Sequence, residues 1–363
     1  MGKATGEETY LMLEVILVIL AFSLMIFIHE LGHFIMALRV GIKVEIFSLG
    51  MGPKIFSVTR NGIEYRLSLV PIGGYVKMLG EDPSEAVTGE KGEFGAQPAW
   101  SRFKVLIAGV TLNYILGLVL MWIVFMAGYP IITTKVGALV DDFPAKKAGI
   151  AVGDKVLAID GNAVSDWEVL IELMHKKTAG EVKVTVDRDG RKMDFTLKPV
   201  VKETKDLLGN DVKIAQVGIV NSDERSYLKY GPGEALVKGA QKQVSFVVIT
   251  YRGLWSLITG RLAFKENVSG PVGIFNLMTQ AAKIGIIPLV LLTALISTLL
   301  GVFNVLPVPP LDGGLILFLG IEKLRGKPLS KKAQEIAMQA GWMFFIGLML
   351  FATYNDIFGK LGK

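Results

Sequence analysis

Residues 24–38 read LMIFIHELGHFIMAL. Ionisable groups in so apolar a run cost a few kcal/mol each even on the mildest scale, so two histidines and a glutamate need a chemical reason. His29, Glu30 and His33 form the pattern His-Glu-x-x-His. In a helix, imidazoles four residues apart leave the same face one turn apart and can grip one metal ion, with the glutamate beside them as a proton acceptor. At average composition a chain of this length shows the pattern by chance on the order of 1% of the time. The bland alternative is a pair of buried histidines that only hydrogen-bond within a helix bundle. His175, the third and last histidine, sits beside Lys176 and Lys177 and reads as a surface residue.

Zinc held by two imidazoles needs a third protein ligand and keeps its fourth position for water. Asp312, in FNVLPVPPLDGG, is the best candidate, because it is the only acidic residue near the inner end of a later apolar run and follows a helix break. The alternative for Asp312 is a capping or turn aspartate. A single zinc ion per chain would drop the pKa of its water toward ~7, and Glu30 would take the proton during attack on a carbonyl. With two neutral imidazoles, one carboxylate and a hydroxide, such a site is nearly charge-neutral and cheaper to bury.

These residues must be positioned by apolar elements. The chain has 363 residues, 51% of them hydrophobic, and a mean hydropathy of +0.48, which favours a membrane protein over a soluble one. The net charge is +6, but no like-charge block or basic-aromatic patch points to nucleic acid; basic loops beside a lipid bilayer explain it more simply. The absence of cysteine excludes thiolate metal sites, disulfides and thiol catalysis. No Ala-x-Ala pattern follows the first apolar run, which therefore reads as a retained span and not a signal peptide.

Four runs are long enough to cross ~30 Å of hydrocarbon: about 11–38, 105–132, 284–311 and 336–354. Four crossings put both termini on one side. The connection after the first run carries nine basic residues from Arg39 to Lys104, and the one after the third carries Lys323, Arg325, Lys327, Lys331 and Lys332, whereas the tails hold Lys3, Lys360 and Lys363. The positive-inside rule then places both connections in the cytoplasm, with the tails and the segment from about 133 to 283 outside. Glu30 lies nine residues from Arg39 and Asn113 nine from Lys104, so both sit roughly 13 Å inside the cytoplasmic face at 1.5 Å per residue. Asn304 and Asp312 bracket three prolines at the same end of the third run, and broken backbone at membrane depth survives only where protein or a water-filled cavity satisfies it. Polar groups from three spans thus converge on one layer. For Asn113, a simple helix-joining hydrogen bond is the alternative.

HELGHF at 29–34, NVLPVPPLDGG at 304–314 and AGVTLNYILG at 108–117 resemble the site-2 protease family of intramembrane zinc metalloproteases, in its bacterial RseP-type branch. Asn304, Pro307, Leu311, Asp312 and Gly313 fall in register on that family's Asn-x-x-Pro-x-x-x-Leu-Asp-Gly signature. The resemblance covers nearly the whole chain. It implies a zinc metalloendopeptidase with His29, His33 and Asp312 as ligands, Glu30 as catalytic base, and Asn304 (with Asn113) holding the substrate or its oxyanion. One departure is Val110, where the family's second span has proline before its Asn.

The intervening segments complete the expected fold, an α-helical membrane protein with four transmembrane helices, a membrane-associated β-hairpin element and an inserted α+β PDZ domain. KIFSVTRNGIEYRLSLV at 54–70 is a hairpin signal around Asn61-Gly62, followed by a glycine-permitted bend and a further short strand in PIGGYVKMLG. The family resemblance implies that the edge at Gly73, Gly74 and Tyr75 pairs with an unwound substrate segment; otherwise it is an ordinary cytoplasmic hairpin. Residues 81–98 read as a mobile loop. PAKKAGIAVGDKVLAIDGNAV resembles the family's PDZ domains, implying docking of peptide termini or filtering of substrates, or else a spacer. Residues 233–260 read as an amphipathic helix on the outer membrane surface or against the PDZ domain, and Pro271 as the first turn of another helix.

The expected organisation is therefore 1–39 first span, 40–102 cytoplasmic β region and loop, 103–132 second span, 133–200 extracytoplasmic PDZ domain, 201–282 extracytoplasmic connector, 283–319 third span, 320–335 cytoplasmic loop, and 336–363 fourth span with tail. The expected location is the bacterial cytoplasmic (inner) membrane, and the expected substrates are the transmembrane segments of single-span proteins such as anti-sigma factors or signal-peptide remnants. Two rivals are a membrane metal transporter, which needs no base between its histidines, and a PDZ-bearing scaffold with a dead metal site.

Overall fold

Runs of uncharged residues with no solvated face make four long helices in the computed structural model, which describes residues 2–81, 89–177, 180–206 and 208–359. By length and composition alone, Tyr10–Val40, Ala99–Ala127, Ile286–Val305 and Lys331–Phe358 could each cross a membrane. The chain divides into two units, one of residues 1–124, 232–251 and 264–363, the other of 125–231 and 252–263.

The first unit opens with α1 (Gly2–Val40) and the strands β1 (Val44–Arg60) and β2 (Ile63–Met78). Asn61 and Gly62, both at positive φ, make the expected tight turn. The sheet is larger than the 54–70 hairpin, because β1 begins at Val44 and β2 runs on through the glycines. Ile46–Leu49 has partners on two sides, Glu64–Leu67 and Gly74–Lys77, while Glu64–Leu67 also pairs with Phe56–Thr59. The Gly74–Met78 stretch is thereby left at an edge. Phe34 of α1 stacks on Phe47 with ring centroids 4.7 Å apart, and Ala37, Ile42, Val44, Ile63, Val76, Met78 and Val105 form the buried cluster that holds this sheet to α1.

From the expected mobile loop, residues 82–88 lie outside the described residues. The remainder is packed: Phe94 donates its amide to Leu79, and the buried Glu93 carboxylate accepts the Gly89 amide at 3.1 Å.

Next comes α2 (Ala99–Ala127). The apolar run expected to continue as a span to Ile132 stops being helical at Ala127. Tyr129–Ile132 is instead β3, drawn out of the helix by pairing with a later strand and by Pro130, which lacks the amide that a helix would use.

In the second unit follow β4 (Val136–Leu139), α3 (Pro144–Lys147), β5 (Lys155–Ile159), β6 (Asn162–Ala163), α4 (Trp167–His175), β7 (Val182–Arg188), β8 (Arg191–Leu197), β9 (Val200–Lys205), β10 (Asp211–Gln216), β11 (Ile219–Asn221) and β12 (Arg225–Leu228). A four-stranded sheet in the order β6-β5-β7-β8 is accompanied by the pairs β9–β10, β4–β11 and β3–β12. The expected boundary at 200 is therefore too early. Residues 201–231 are not connector, since β11 and β12 return to the unit's own first strands. Helix α4 starts where Asp166 caps the Val169 amide at 3.0 Å, and its Leu170 and Met174, one turn apart, face the core with Val156, Ile159, Val184 and Val186.

The first unit resumes with α5 (Pro232–Ile258, whose last turns belong to the second unit), α6 (Phe264–Asn267), α7 (Pro271–Ile284), α8 (Ile286–Val305), α9 (Asp312–Arg325) and α10 (Lys331–Phe358). Pro271 does occupy the first turn of α7. The expected loop at 320–335 shrinks to the residues between α9 and α10, because the polar residues after 319 continue the helix. Nor is the first part of α5 a free surface helix. Gln243 donates to the Tyr114 carbonyl at 2.8 Å and to Thr298 Oγ1 at 3.1 Å, and Trp122 donates to the Pro232 carbonyl. Gln243, one of two glutamines beside Lys242, gave no warning that α5 docks along α2.

Among the described residues of the second unit, one charged side chain is buried. Asp154, with a side chain only 1% exposed, takes two 2.7 Å hydrogen bonds from Arg188 and one from the Ala151 amide. The Arg188 guanidinium holds the Asp154 carboxyl below its ordinary value. Stabilisation from this pair is full above the unfolded carboxylate value of about 3.9 and is lost as pH falls through the lower folded value. Asp154→Ala should destabilise the unit by about 3 kcal/mol, the lower end of the range for breaking a buried pair because Arg188 is partly exposed. Hydrogen exchange at the β7 amides of the full chain, as a function of pH, measures both effects.

Candidate metal centre

The His-Glu-x-x-His pattern lies on α1 as expected, with both histidines pointed at α2 and at the first residue of α9. His29 Nε2 and His33 Nε2 are 3.1 Å apart, and Asp312 Oδ2 lies 3.3 Å from the first and 3.5 Å from the second. All three ligand atoms fall within 4.8 Å of one another. Two ligands about 2.0–2.1 Å from a tetrahedral zinc are about 3.3–3.4 Å apart, so this spacing suits the ion without rearrangement. Two imidazole nitrogens and one carboxylate are a donor set that leaves a zinc ion's fourth position for water. Asp312 Oδ2 is buried and has no hydrogen-bond donor, as befits an atom reserved for a cation.

Each ligand is oriented by something else. His33 Nδ1 lies 2.9 Å from the carbonyl oxygen of Val105, which leaves Nε2 as the free nitrogen. His29 Nδ1 lies 3.2 Å from the Asn113 carboxamide. Asp312 is the first residue of α9, and the positive end of that helix favours a carboxylate there. The segment LPVPPL at 306–311 breaks α8 from α9, and α9 starts close against the end of α8: a Cβ on Gly313 would lie 2.2 Å from the Val305 oxygen.

The expected residues are not all used alike. His29, Glu30, His33 and Asp312 are brought together. Asn113 is a correction: it is fully buried at 0% exposure and bonded to His29, so it has no surface for a substrate and acts on the ligand. Asn304 stands in the last turn of α8, without a side-chain hydrogen bond among the described residues. Gly74 of the sheet edge approaches Glu30, whose Cγ would be 3.5 Å from a Cβ added there. The Glu30 carboxylate accepts the Val76 amide at 3.2 Å. Gly73 packs against Met51, and the Tyr75 hydroxyl accepts from Arg66 at 3.1 Å.

Two contributors were missed. The Val105 carbonyl is invisible to residue-type reasoning. Gly109 was legible, as the small residue of AGVTLN four before Asn113. A Cβ there would lie 2.4 Å from His33 Nε2 and 2.9 Å from His29 Cε1, and one on Gly32 would lie 2.5 Å from the Ala108 oxygen. The α1–α2 crossing at the metal site therefore depends on paired glycines. Near the sheet edge, burial pushes the Glu81 carboxyl up to about 7, against the Met78 amide that it accepts.

Comparison with known proteins agrees with this geometry. Residues 17–348 match the model of peptidase family M50. A protein of Agrobacterium fabrum named as a zinc metalloprotease is 34% identical over 99% of this chain and 98% of its own. The regulator of sigma-W protease RasP of Bacillus subtilis is 30% identical over 94% of this chain and 98% of its own. Among solved structures, the PDZ domain of an SdrC-like protein from Listeria monocytogenes is 26% identical and covers 24% of this chain and 86% of its own, with a TM-score of 0.20. The chain belongs to peptidase family M50, the site-2 proteases, and is an intramembrane zinc metalloprotease. A zinc-dependent hydrolase thus replaces the transporter and scaffold readings.

Gly109→Ala should lower zinc affinity by at least an order of magnitude while the helices persist, because the new methyl meets a ligand atom that cannot retreat from α2. Chelator-competition titration, with circular dichroism as the control for folding, measures this.

Proposed function

We propose that His29, His33 and Asp312 hold the zinc, that Glu30 is the catalytic base, and that the enzyme cleaves transmembrane segments of single-span membrane proteins. The observation that carries this reading is the meeting of three ligand atoms within 4.8 Å, one turn of helix from a carboxylate with no metal-binding part to play. Bound there, zinc supplies a water acidic enough to attack at neutral pH and a Lewis acid for the carbonyl.

The protein's own groups do the rest. Glu30 takes a proton from the attacking water on its carboxylate and returns it to the departing nitrogen. The unpaired carboxamide of Asn304 donates a hydrogen bond to the substrate or to its developing oxyanion. An imidazole that uses Nε2 for a metal carries its proton on Nδ1. The Asn113 carboxamide therefore meets His29 with its oxygen, the buried atom now without a partner, and so orients the ring. The edge at Gly73, Gly74 and Tyr75 accepts the substrate as an added strand, since a protease must act on extended backbone.

The wider setting belongs to the same proposal. The four apolar helices span the bacterial cytoplasmic membrane, with both termini and the 125–231 unit extracytoplasmic by the distribution of basic residues. That unit is a PDZ domain by its sequence resemblance, receiving peptide termini or filtering substrates by size. The Bacillus subtilis relative named as a regulator of sigma-W supports anti-sigma factors as a substrate class.

Cleavage of candidate single-span helices by the detergent-solubilised chain should stop on addition of a chelator and return with zinc. Glu30→Gln should retain stoichiometric zinc and lose at least 100-fold in rate, within the usual contribution of a positioned base; full activity in that variant would remove the assignment. Asn113→Ala should weaken zinc binding by about 10–100-fold, as loss of a ligand-orienting partner does, and its substrate KM should stay unchanged.

A further inference from the structure

Helix α9 brings the only ligand not on α1, so its placement decides where Asp312 stands. Beside α9 lies a cavity of about 920 Å³, walled by the β2 edge at Tyr75–Met78, by α10, by Leu315, Phe318 and Leu319 of α9 and, on the α2 side, by Leu106. Arg102 and Glu322, both in its wall, join the two helices: Arg102 Nη2 donates to Glu322 Oε1. Their side chains are only 12% and 21% exposed, and Arg102 is held further by Nε donating to the Gln97 carbonyl at 3.1 Å.

Local physics gives neither residue a reason to be where it is. Arg102 is a cation in the first turn of α2, and Glu322 an anion in the last turn of α9. Each therefore faces the unfavourable end of its own helix dipole. Each also gives up hydration, which an ion pair repays only with good geometry. A charged pair that opposes local preference on both helices is best explained by what it does between them, namely setting register.

The register it sets is that of the metal site. Arg102 is seven residues before Gly109, which lies against both imidazoles, so the α2 end of the link sits about two turns, roughly 10 Å, from the metal centre. Glu322 is ten residues after Asp312, so the α9 end is about 15 Å down the helix from the ligand. We propose that Arg102 and Glu322 are positioning residues, locking α9 to α2 at its far end so that Asp312 stands against the imidazoles before any metal arrives. This rests on the metal-site reading above. Zinc then binds a preset trio, and the cost of ordering α9 is met beforehand by the ion pair.

The test is zinc affinity of the full chain in detergent, by chelator competition, for Arg102→Ala, Glu322→Ala, the charge swap Arg102→Glu with Glu322→Arg, and Asp312→Asn. Each alanine variant should bind zinc at least tenfold more weakly, in the range seen when outer-shell support is lost, and the swap should return it to within about threefold of the parent. Because the chain has no cysteine, spin labels on Trp100→Cys and Leu324→Cys, both on exposed side chains, report the α2–α9 distance directly. In the metal-free state that distance should be narrow in the parent and the swap, and broad in either alanine variant. Unchanged affinity and unchanged distance in both alanine variants, with zinc lost from Asp312→Asn, would overturn the proposal and leave the metal site standing. Weakened binding with a narrow distance, or with no recovery in the swap, would also overturn it. Zinc retained by Asp312→Asn would overturn the metal-site reading, and this one with it.

Discussion

Everything in the first unit follows from one constraint: a carboxylate must reach two imidazoles among helices that otherwise offer only hydrocarbon. An ionised aspartate there is tolerable only with a cation and orienting partners. The structure meets that cost with geometry. Asp312 is placed at the positive end of α9, His33 is turned by a carbonyl, His29 by a carboxamide, and the α1–α2 crossing is closed by glycines so that the rings and the second helix can meet.

The prolines of LPVPPL are part of the same solution. A continuous helix through 286–325 would carry Asp312 along its own axis, with no change of direction toward α1. Ending α8 at Val305 and starting α9 at Asp312 lets the ligand occupy a helix N-terminus, where the dipole is favourable. The broken backbone is tolerable because Leu306, Val308 and Leu311 find local hydrogen bonds.

What could be read from residue types was chemistry with its own period. His29 and His33 announce a helix face by their spacing, Asn61-Gly62 announces a turn, and Asp166 before Trp167 announces a cap; each needs only near neighbours. Asp312 was reachable because a helix break made it conspicuous. The illegible parts depend on partners distant in sequence. The Val105 carbonyl belongs to no residue type, and Gln243 looked like ordinary polarity on an amphipathic helix until its acceptors on α2 and α8 were seen. Residues 201–231 looked like connector because β11 and β12 are three and four residues long and earn their stability from β4 and β3. Asn113 was read into the cluster where it stands, yet its role depended on which atom it faced.

On the proposed reading, the edge strand lets one carboxylate serve both the fold and the reaction. An unpaired strand edge is a hazard in water and more costly in lipid, where no solvent satisfies its amides. Here the Val76 amide is taken by Glu30 and the Met78 amide, two residues on and therefore facing the same way, by Glu81. The edge is thus closed by side chains that can move aside, not by another strand that cannot. On the proposed reading, a substrate strand joining Gly74–Met78 offers its own carbonyls to those two amides. One of the carboxylates it displaces is the base that the reaction then needs free, so strand addition and release of Glu30 are one event at one hydrogen bond.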